Sequence, residues 1–278
     1  MKVTNVYGLP DPIVSAVSRG IRQPKPGRYS VTELIDPPLI RALKIQHWDA
    51  LTEDASERLW ALLGSAVHAV LERADTDHLL VEEELLGTVN GVDILGHPDI
   101  HDGKNKLTDY KVTSVYSFLL GEKPSWEHQL NIYAWMYRQH GFATDILEIA
   151  GILRDWNRHR ALQDRDYPPV PFVLVNVPVR TDSAVRTYLE ERVVLHQLAE
   201  QGLAVTPCSP EERWHRPDVW AVKKIGAKRA VPRGLHSSLV AAGEFVALHK
   251  DKDKLEFEFR RGADVRCDDY CPVRTVCP

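Results

Sequence analysis

The chain has 278 residues, of which 44% are hydrophobic and 27% are charged. It is long enough for one large domain, or for one domain with an appendage. The 39 acidic residues outnumber the 35 Lys and Arg residues, which gives a net charge of -4. This excludes a polycation that coats nucleic acid through bulk charge, so any DNA contact needs a local basic surface. The sequence has no apolar run of about 18 residues and no secretory signal. We therefore expect a cytoplasmic protein without a membrane segment.

The N-terminal residues 1–29 are rich in Pro and Gly around one helical candidate at 12–19, which predicts a loosely structured arm. Ser30-Val31-Thr32-Glu33 matches a capping box and should begin a helix. Pro37-Pro38 interrupts that helix, and a second short helix restarts near residue 39. We predict three segments: an arm at 1–29, a core domain at 30–203 and a C-terminal cysteine module at 204–278.

The core segment reads as alternating helices and strands. Residues 53–74 have a helical period whose apolar stripe includes Trp60 and Val70. Residues 79–87, 92–101 and 105–114 predict an antiparallel meander, because Asn90-Gly91 and Asp102-Gly103 are turn signals. A helix at 125–140, strands at 146–154 and 171–179, and a helix at 182–202 follow. The pattern predicts an α/β fold with a mixed central β-sheet flanked by helices.

The strongest chemical signal is Gly96-His97-Pro98-Asp99, followed after nine intervening residues by Asp109-Tyr110-Lys111. Asp99 and Asp109 fall on neighbouring predicted strands, so their carboxylates can converge at one end of the sheet. Two close carboxylates repel, and a divalent cation such as Mg²⁺ relieves that repulsion through oxygen ligands. Lys111 could orient or deprotonate a water beside the cation. The ordinary alternative is a solvated Asp near a turn, because Asp-X-Lys triplets are common.

Three further residues could complete such a site. His68 lies in a predicted helix whose small residues permit close approach, and its neutral imidazole is a suitable ligand. A lone histidine is nevertheless more often a surface or core residue. Gln129 and Tyr133 are four residues apart on one face of the next predicted helix. Tyr133 could serve only in packing, whereas a buried Gln129 amide needs a hydrogen-bond partner. We expect both side chains to line the site.

These elements together resemble a known family. The order Gly-x-x-x-His, Gly-His-Pro-Asp, Asp-Tyr-Lys and Gln-x-x-x-Tyr is similar to the RecB-like branch of the PD-(D/E)XK nuclease superfamily. Pro98-Asp99 and Asp109-Tyr110-Lys111 match the superfamily's signature. Each motif is short, but four of them in this order are specific together. The resemblance covers about residues 30–200 and implies a restriction-endonuclease-like core.

The resemblance implies a Mg²⁺- or Mn²⁺-dependent deoxyribonuclease, a phosphodiester hydrolase. Four groups would bind the cation: His68, Asp99, Asp109 and the main-chain carbonyl of Tyr110. Lys111 would position or activate a water that attacks phosphorus in line, without a covalent enzyme intermediate. Gln129 and Tyr133 would line the site and contact the substrate backbone.

The resemblance further implies an exonuclease that acts in DNA recombination, repair or end processing. The alternative is a non-catalytic nucleic-acid-binding accessory module on the same fold. The chain has no Gly-x-x-x-x-Gly-Lys-Ser/Thr loop and so no ATP motor of its own, and it resembles stand-alone nucleases of bacteriophage recombination systems. Expected partners are DNA ends or single strands, a single-strand annealing protein and further copies of the chain. The expected compartment is the cytoplasm of a bacterial or phage-infected cell.

The sequence contains four cysteines, three of them in the last twelve residues: Cys208, Cys267, Cys271 and Cys277. In a cytosolic protein such clustering indicates a metal site more than disulfides, although unrelated buried thiols are an alternative. Four thiolates suit Zn²⁺ or an iron–sulfur cluster. AddB-type and CRISPR-adaptation nucleases of this branch use one upstream and three C-terminal cysteines for a 4Fe–4S cluster, so the resemblance favours 4Fe–4S. Their upstream cysteine precedes the core, whereas Cys208 follows it. The cluster would therefore staple only residues 207–278.

Basic and aromatic residues are interleaved between Cys208 and Cys267. Such a combination suits a single-stranded or frayed DNA path, and a solvated charged hairpin is the alternative. The candidate DNA contacts are Trp220, Lys223, Lys224, Lys228 and Arg229.

Overall fold

A computed structural model describes residues 1–73, 78–119, 123–203 and 207–278. The chain divides into two units, Met1–Thr206 with Thr275–Pro278, and Pro207–Arg274. Helices and strands occur in both, so the predicted α/β class is confirmed.

The first unit contains helices close to each predicted position. In the described residues they are α1 (Asp11–Arg19), α2 (Val31–Ile35), α3 (Pro38–His47), α4 (Leu59–Glu72), α5 (Tyr116–Leu119), α6 (Pro124–Gln139), α7 (Arg158–Gln163) and α8 (Asp182–Glu200). The predicted capping box is confirmed, because the Glu33 N–H donates to Ser30 Oγ and the Ser30 N–H donates to Glu33 Oε2. Pro38 occupies the first turn of α3, where its missing N–H costs nothing.

The strands of this unit form three sheets. They are β1 (Lys2–Thr4), β2 (Tyr29–Ser30), β3 (Thr52–Asp54), β4 (Leu80–Val81), β5 (Leu85–Val89), β6 (Val92–Gly96), β7 (Ile100–His101), β8 (Lys106–Thr113), β9 (Ile146–Leu153) and β10 (Phe172–Val177). The largest sheet is mixed, in the order β10-β9-β8-β7-β4, with β8 parallel to β9. Strands β2, β6 and β5 form a second sheet, and β1 pairs with β3.

The predicted three-strand meander is wrong in its connections. The hairpin β5–β6 leaves the main sheet and pairs with β2, with Tyr29 opposite Ile94. Only the short strand β7 continues into the main sheet beside β8. Asp99 therefore lies in a bend between β6 and β7 rather than within a strand. The chain leaves one sheet and enters another at the Pro98-Asp99 motif.

The N-terminal arm contains the predicted helix as α1, and it also contains the strand β1, which was not predicted. Its last residues are held by the buried Arg41, whose guanidinium donates to the Lys25 and Arg28 carbonyl oxygens. The same guanidinium is paired with Glu33 at 2.6 Å and with Glu200 at 2.8 Å. This network satisfies a charge that would be costly to bury alone.

Helix α6 lies at the centre of the first unit. Its residues from Leu130 to Tyr137 are all buried, and it packs against the two larger sheets and against α2 and α8. Helix α4 is different, because it contains no fully buried residue, and Trp60 and Val70 of the predicted core stripe are exposed. The site residues on α6 are thus rigidly supported, whereas α4 packs on β8 at the protein surface.

The second unit is a small α/β module. Its elements are β11 (His215–Arg216), β12 (Val219–Lys224), β13 (Ala230–His236), α9 (Leu239–Leu248), β14 (Leu255–Arg260), β15 (Ala263–Asp264) and a π-helical turn at Arg266–Tyr270. Strand β12 lies between β13 and β14, and β11 pairs with β15. No helix in the described parts of either unit has the length and apolar character needed to cross a bilayer.

Candidate metal centre

The candidate centre forms where β7 stops pairing with β8. The antiparallel register joins Ile100 to Thr108, and its continuation would place Pro98 opposite Tyr110. Proline has no N–H to donate. The Asp99 carboxylate takes over instead, and its Oδ2 accepts the Tyr110 N–H at 2.6 Å. The N–H and C=O of a strand residue point to the same neighbour, so we infer that the Tyr110 carbonyl faces the gap beside Asp99.

Three ligand-type side chains converge beside this gap. His68 Nδ1 of α4 lies 3.3 Å from Asp99 Oδ1 and 3.3 Å from Glu82 Oε1. Among the described residues, these three are the one group of at least three His, Cys, Asp or Glu residues whose ligand atoms all lie within 4.8 Å of one another. His68 and Asp99 were expected here from the sequence.

Glu82 was missed by the sequence prediction. It is the first of three consecutive glutamates in a segment predicted as a strand, and nothing in that run indicates which one faces inward. The structure gives it a positive φ of 51°, and its N–H donates to the Asp99 carbonyl oxygen at 3.0 Å. This turned backbone directs Glu82 to His68, while Glu83 and Glu84 are exposed.

Asp109 and Lys111 form the second part of the site. Lys111 Nζ lies 2.7 Å from Asp109 Oδ2 and donates to Gln129 Oε1 at 3.0 Å. The Asp109 side chain is only 2% exposed. Neither of its oxygens accepts a well-directed hydrogen bond from the described residues. Burying a charged carboxylate is costly, and the Lys111 ammonium offsets part of that cost.

Tyr133 closes the α6 side of the site. Burial raises its pKa to about 12, while the Gln129 side chain and the His97 main chain act in the opposite direction. Its ring lies against Gly96, where a Cβ would be 3.0 Å from Tyr133 Cε1 and 2.8 Å from Met136 Sδ. The glycine of the Gly-His-Pro-Asp motif therefore lets β6 approach α6 closely.

The electrostatics of the site show an excess of carboxylate charge. The Asp99 hydrogen bond raises the pKa of His68 to about 9 against the effect of burial, and Glu82 acts in the same direction as Asp99. Burial, followed by the Asp99 charge, raises the pKa of Glu82. Burial also raises the pKa of Asp109; Lys111 opposes this rise, while Asp99 adds to it. The acids are thus short of positive charge even with His68 and Lys111 beside them.

These residues fit a divalent cation. One imidazole and two carboxylates offer one nitrogen and several oxygen ligands, a set that suits Mn²⁺ and is compatible with Mg²⁺. The convergence of the His68, Glu82 and Asp99 ligand atoms is the observation that most favours a cation here, and the buried Asp109 is already paired with the Lys111 ammonium. A ligating imidazole must be neutral, so cation binding would release the His68 proton.

All four cysteines of the predicted site lie in described residues. No cysteine is in a disulfide. Cys208, Cys267 and Cys271 lie in the second unit, and Cys277 lies in residues assigned to the first. Burial raises the pKa of Cys208 to about 11, and charges on Glu212, Cys271 and Cys267 act in the same direction.

Zinc and an iron–sulfur cluster differ in the spacing of the cysteine sulfurs that bind them. Two sulfurs bound to one Zn²⁺, each at about 2.3 Å, can be no more than about 4.6 Å apart. In the described residues of the second unit, no three cysteine sulfurs lie within 4.8 Å of one another. Both the 4Fe–4S cluster and Zn²⁺ stay predictions.

Two of the predicted DNA contacts of the second unit, Trp220 and Lys223, lie on opposite faces of its sheet. Trp220 lies opposite Phe259 in the sheet, and the two rings are 5.2 Å apart. Lys223 is three residues further along β12 and so points to the other face. There its Nζ lies 3.3 Å from both Glu256 and Glu258. Lys224 ends β12, and Lys228 and Arg229 lie in the following turn.

Comparisons with known proteins leave the chain without an assigned family. No family model matches the sequence, and no curated protein matches it. A solved structure described as "Crystal structure of SSO0001" is similar, with 19% sequence identity and a TM-score of 0.46. The match covers 66% of this chain and 83% of that chain. A similarity this distant does not bear on function, so the function has to be argued from the site.

Proposed function

We propose that the protein is a metal-dependent deoxyribonuclease that hydrolyses phosphodiester bonds, most simply as an exonuclease of DNA recombination, repair or end processing. One observation supports this above the others. Residues from separate parts of the chain meet here. His68 lies 3.3 Å from the Asp99 carboxylate, which accepts the Tyr110 N–H at 2.6 Å. Lys111 donates to the Gln129 amide oxygen at 3.0 Å. The arrangement agrees with the RecB-like nuclease resemblance in the sequence.

The residues of the site have complementary roles in this proposal. A cation held by His68, Glu82 and Asp99 would polarise the scissile phosphate and make a water more acidic. Lys111 has three donors, of which Asp109 and Gln129 occupy two. The third can hold the attacking water or a phosphate oxygen. Gln129 fixes the direction of the Lys111 ammonium group, and the negative charge of Asp109 keeps that group in the site.

The test is cleavage of end-labelled DNA by the full chain with Mn²⁺ or Mg²⁺. We expect Asp109→Asn and Lys111→Met to slow cleavage by about a hundredfold or more, since Lys111 acts on the attacking water or a phosphate oxygen and Asp109 holds the Lys111 ammonium in place. Lys104→Met is the matched control, because Lys104 is an exposed lysine of the β7–β8 turn. Equal digestion by wild type and both site variants would refute the assignment. DNA binding without cutting in either metal would favour the non-catalytic module instead.

The cysteine cofactor needs a separate measurement. We propose a 4Fe–4S cluster, supported by the pattern of one upstream and three C-terminal cysteines and by the electrostatic interaction of Cys208 with Cys271 and Cys267. Protein purified without oxygen should contain iron and acid-labile sulfide and should absorb visible light. A colourless protein with stoichiometric zinc would overturn the cluster while leaving the nuclease proposal intact.

A further inference from the structure

An exposed aromatic ring and an arginine are stacked at the edge of the main sheet. Trp60, near the start of α4, is 59% exposed. The guanidinium carbon of Arg154 lies 4.1 Å from the centroid of its ring. Arg154 follows the last residue of β9 and is exposed. Such a contact contributes only about 0.5–1 kcal/mol at an exposed site, so packing alone is a weak reason to keep a tryptophan in water.

The pair lies a short distance from the candidate metal centre. The Arg154 N–H donates to the Thr113 carbonyl oxygen at 3.0 Å, which places Arg154 beside the end of β8. Thr113 is two residues beyond Lys111, or about 7 Å along the strand. Trp60 precedes His68 by eight residues of α4, or about 12 Å along the helix axis. These lengths correspond to two to four stacked nucleotides at about 3.4 Å each.

The charge of Arg154 is available to a ligand. None of the ion pairs among the described residues involves Arg154. The adjacent Asp155 is directed elsewhere, and its Oδ1 accepts the Val115 N–H at 2.7 Å. Arg154 therefore covers one face of the Trp60 ring, and the 59% exposure of Trp60 leaves ring surface beside a positive charge, which is the combination that a base and a phosphate require together.

A second aromatic–arginine pair follows in the chain after β8. Tyr116 is exposed, and Arg160 NH1 donates to its hydroxyl oxygen at 3.0 Å. Arg160 also pairs with Asp164 at 3.4 Å, so its charge is partly neutralised. Tyr116 thus offers mainly a stacking surface. Both pairs lie beyond the carboxyl ends of the parallel strands β8 and β9, where ligands of α/β sheets commonly bind.

We propose that Trp60 and Arg154 bind single-stranded DNA next to the metal centre, with one base stacked on Trp60 and a phosphate held by Arg154. This inference rests on the proposed nuclease function and names its substrate as an unpaired strand. Base faces are covered in a duplex, so the open Trp60 ring can stack only on an unpaired base. Tyr116 extends the same path by a further stacking position.

The test is fluorescence anisotropy with the full chain, a labelled oligothymidine of about 20 nucleotides and a blunt duplex of the same length. Buffer with EDTA keeps cleavage out of the measurement. We expect Trp60→Ala to weaken single-strand binding about tenfold and duplex binding less than twofold. Trp60→Phe should retain most of the affinity. Arg154→Gln should weaken binding. It should also reduce the slope of log affinity against log salt concentration by about one. Tyr7→Ala, which removes another exposed aromatic ring of the same unit, should bind as wild type does.

Three outcomes would overturn the inference: unchanged single-strand binding by Trp60→Ala, equal losses on single strand and duplex, or no single-strand binding by wild type. If Trp60→Ala does not fold, Trp60→Phe and Arg154→Gln still decide the matter, because unchanged binding by Arg154→Gln refutes the phosphate contact. The outcome is separable from the nuclease proposal. A chain that cuts through Asp109 and Lys111 but binds normally without Trp60 would refute only the present inference.

Discussion

Glu82 and Asp99 are joined through both main chain and side chains. The Glu82 N–H donates to the Asp99 carbonyl oxygen at 3.0 Å, and both carboxylates lie 3.3 Å from His68 Nδ1. The positive φ of Glu82 is sparsely populated for a residue with a side chain, and such strain persists only where the surroundings enforce it. The backbone geometry thus directs Glu82 towards His68 and Asp99 in the proposed cation site.

Replacing Glu82 with Gln should weaken Mn²⁺ binding to the full chain by about tenfold or more, because it removes a negative ligand while keeping the shape. Isothermal titration calorimetry or the electron paramagnetic resonance signal of unbound Mn²⁺ measures the affinity. Glu83→Gln is the matched control, since it removes the same charge from the exposed neighbour. Equal affinities for the two variants would show that Glu82 acts only through long-range charge.

Gln129→Ala should lower kcat by about tenfold and leave KM nearly unchanged. The substitution removes the acceptor 3.0 Å from Lys111 Nζ, so the ammonium loses its fixed direction but keeps its contact with Asp109. Gln139→Ala, at the exposed end of the same helix, controls for lost helix contacts. A rise in KM at constant kcat would instead place Gln129 in substrate binding alone.

The elements themselves could be predicted from sequence, because their patterns are local. The apolar residues of α6, the alternation of β8 and the capping box before α2 depend only on neighbouring residues. Sheet membership was not predictable. The alternation in β6 is the same whichever strand pairs with it, and its pairing with β2 is decided by burial of Tyr29 and Ile94 in the tertiary core.

The site residues that could be predicted from sequence are those whose residue type itself indicates the chemistry. Asp99, Asp109 and Lys111 were predicted from their residue types and spacing. In the structure Asp99 accepts the N–H of Tyr110, which lies between Asp109 and Lys111, and Asp109 pairs with Lys111. Glu82 depends on a backbone dihedral, which three consecutive glutamates cannot indicate. The apolar period of α4 predicted burial, whereas Trp60 stays exposed against Arg154. Periodicity shows which residues share a face and not what that face contacts.

Gly96→Ala should destabilise the protein by about 1–3 kcal/mol, because the new methyl group would be 2.8 Å from Met136 Sδ and 3.0 Å from Tyr133 Cε1. Urea unfolding measures the change. Gly64→Ala is an informative control, since nothing lies within 4 Å of its Cβ position in α4. That variant should stabilise the protein by about 0.5–1 kcal/mol through helix propensity. Destabilisation of similar size by both would point to a general intolerance of the chain rather than to close packing at Gly96.

His196 should make the fold sensitive to acid. The side chain is fully buried, and burial, followed by the charge of Arg192, lowers its pKa to about 4. An unfolded histidine has a pKa of about 6.5. The unfolded chain therefore takes up the proton first, and the stability that depends on neutral His196 is complete above pH 6.5 and declines as the pH falls towards 4. The decline is at most about 3 kcal/mol.

Urea unfolding of wild type and His196→Gln at several pH values isolates this effect from the titration of other groups. We expect the difference in unfolding free energy between the two proteins to shrink as the pH falls from 6.5 to 4, because Gln cannot be protonated. His47→Gln should show the wild-type pH dependence, since His47 is exposed. A difference between wild type and His196→Gln that is constant over this range would mean that His196 titrates alike in the folded and unfolded chains.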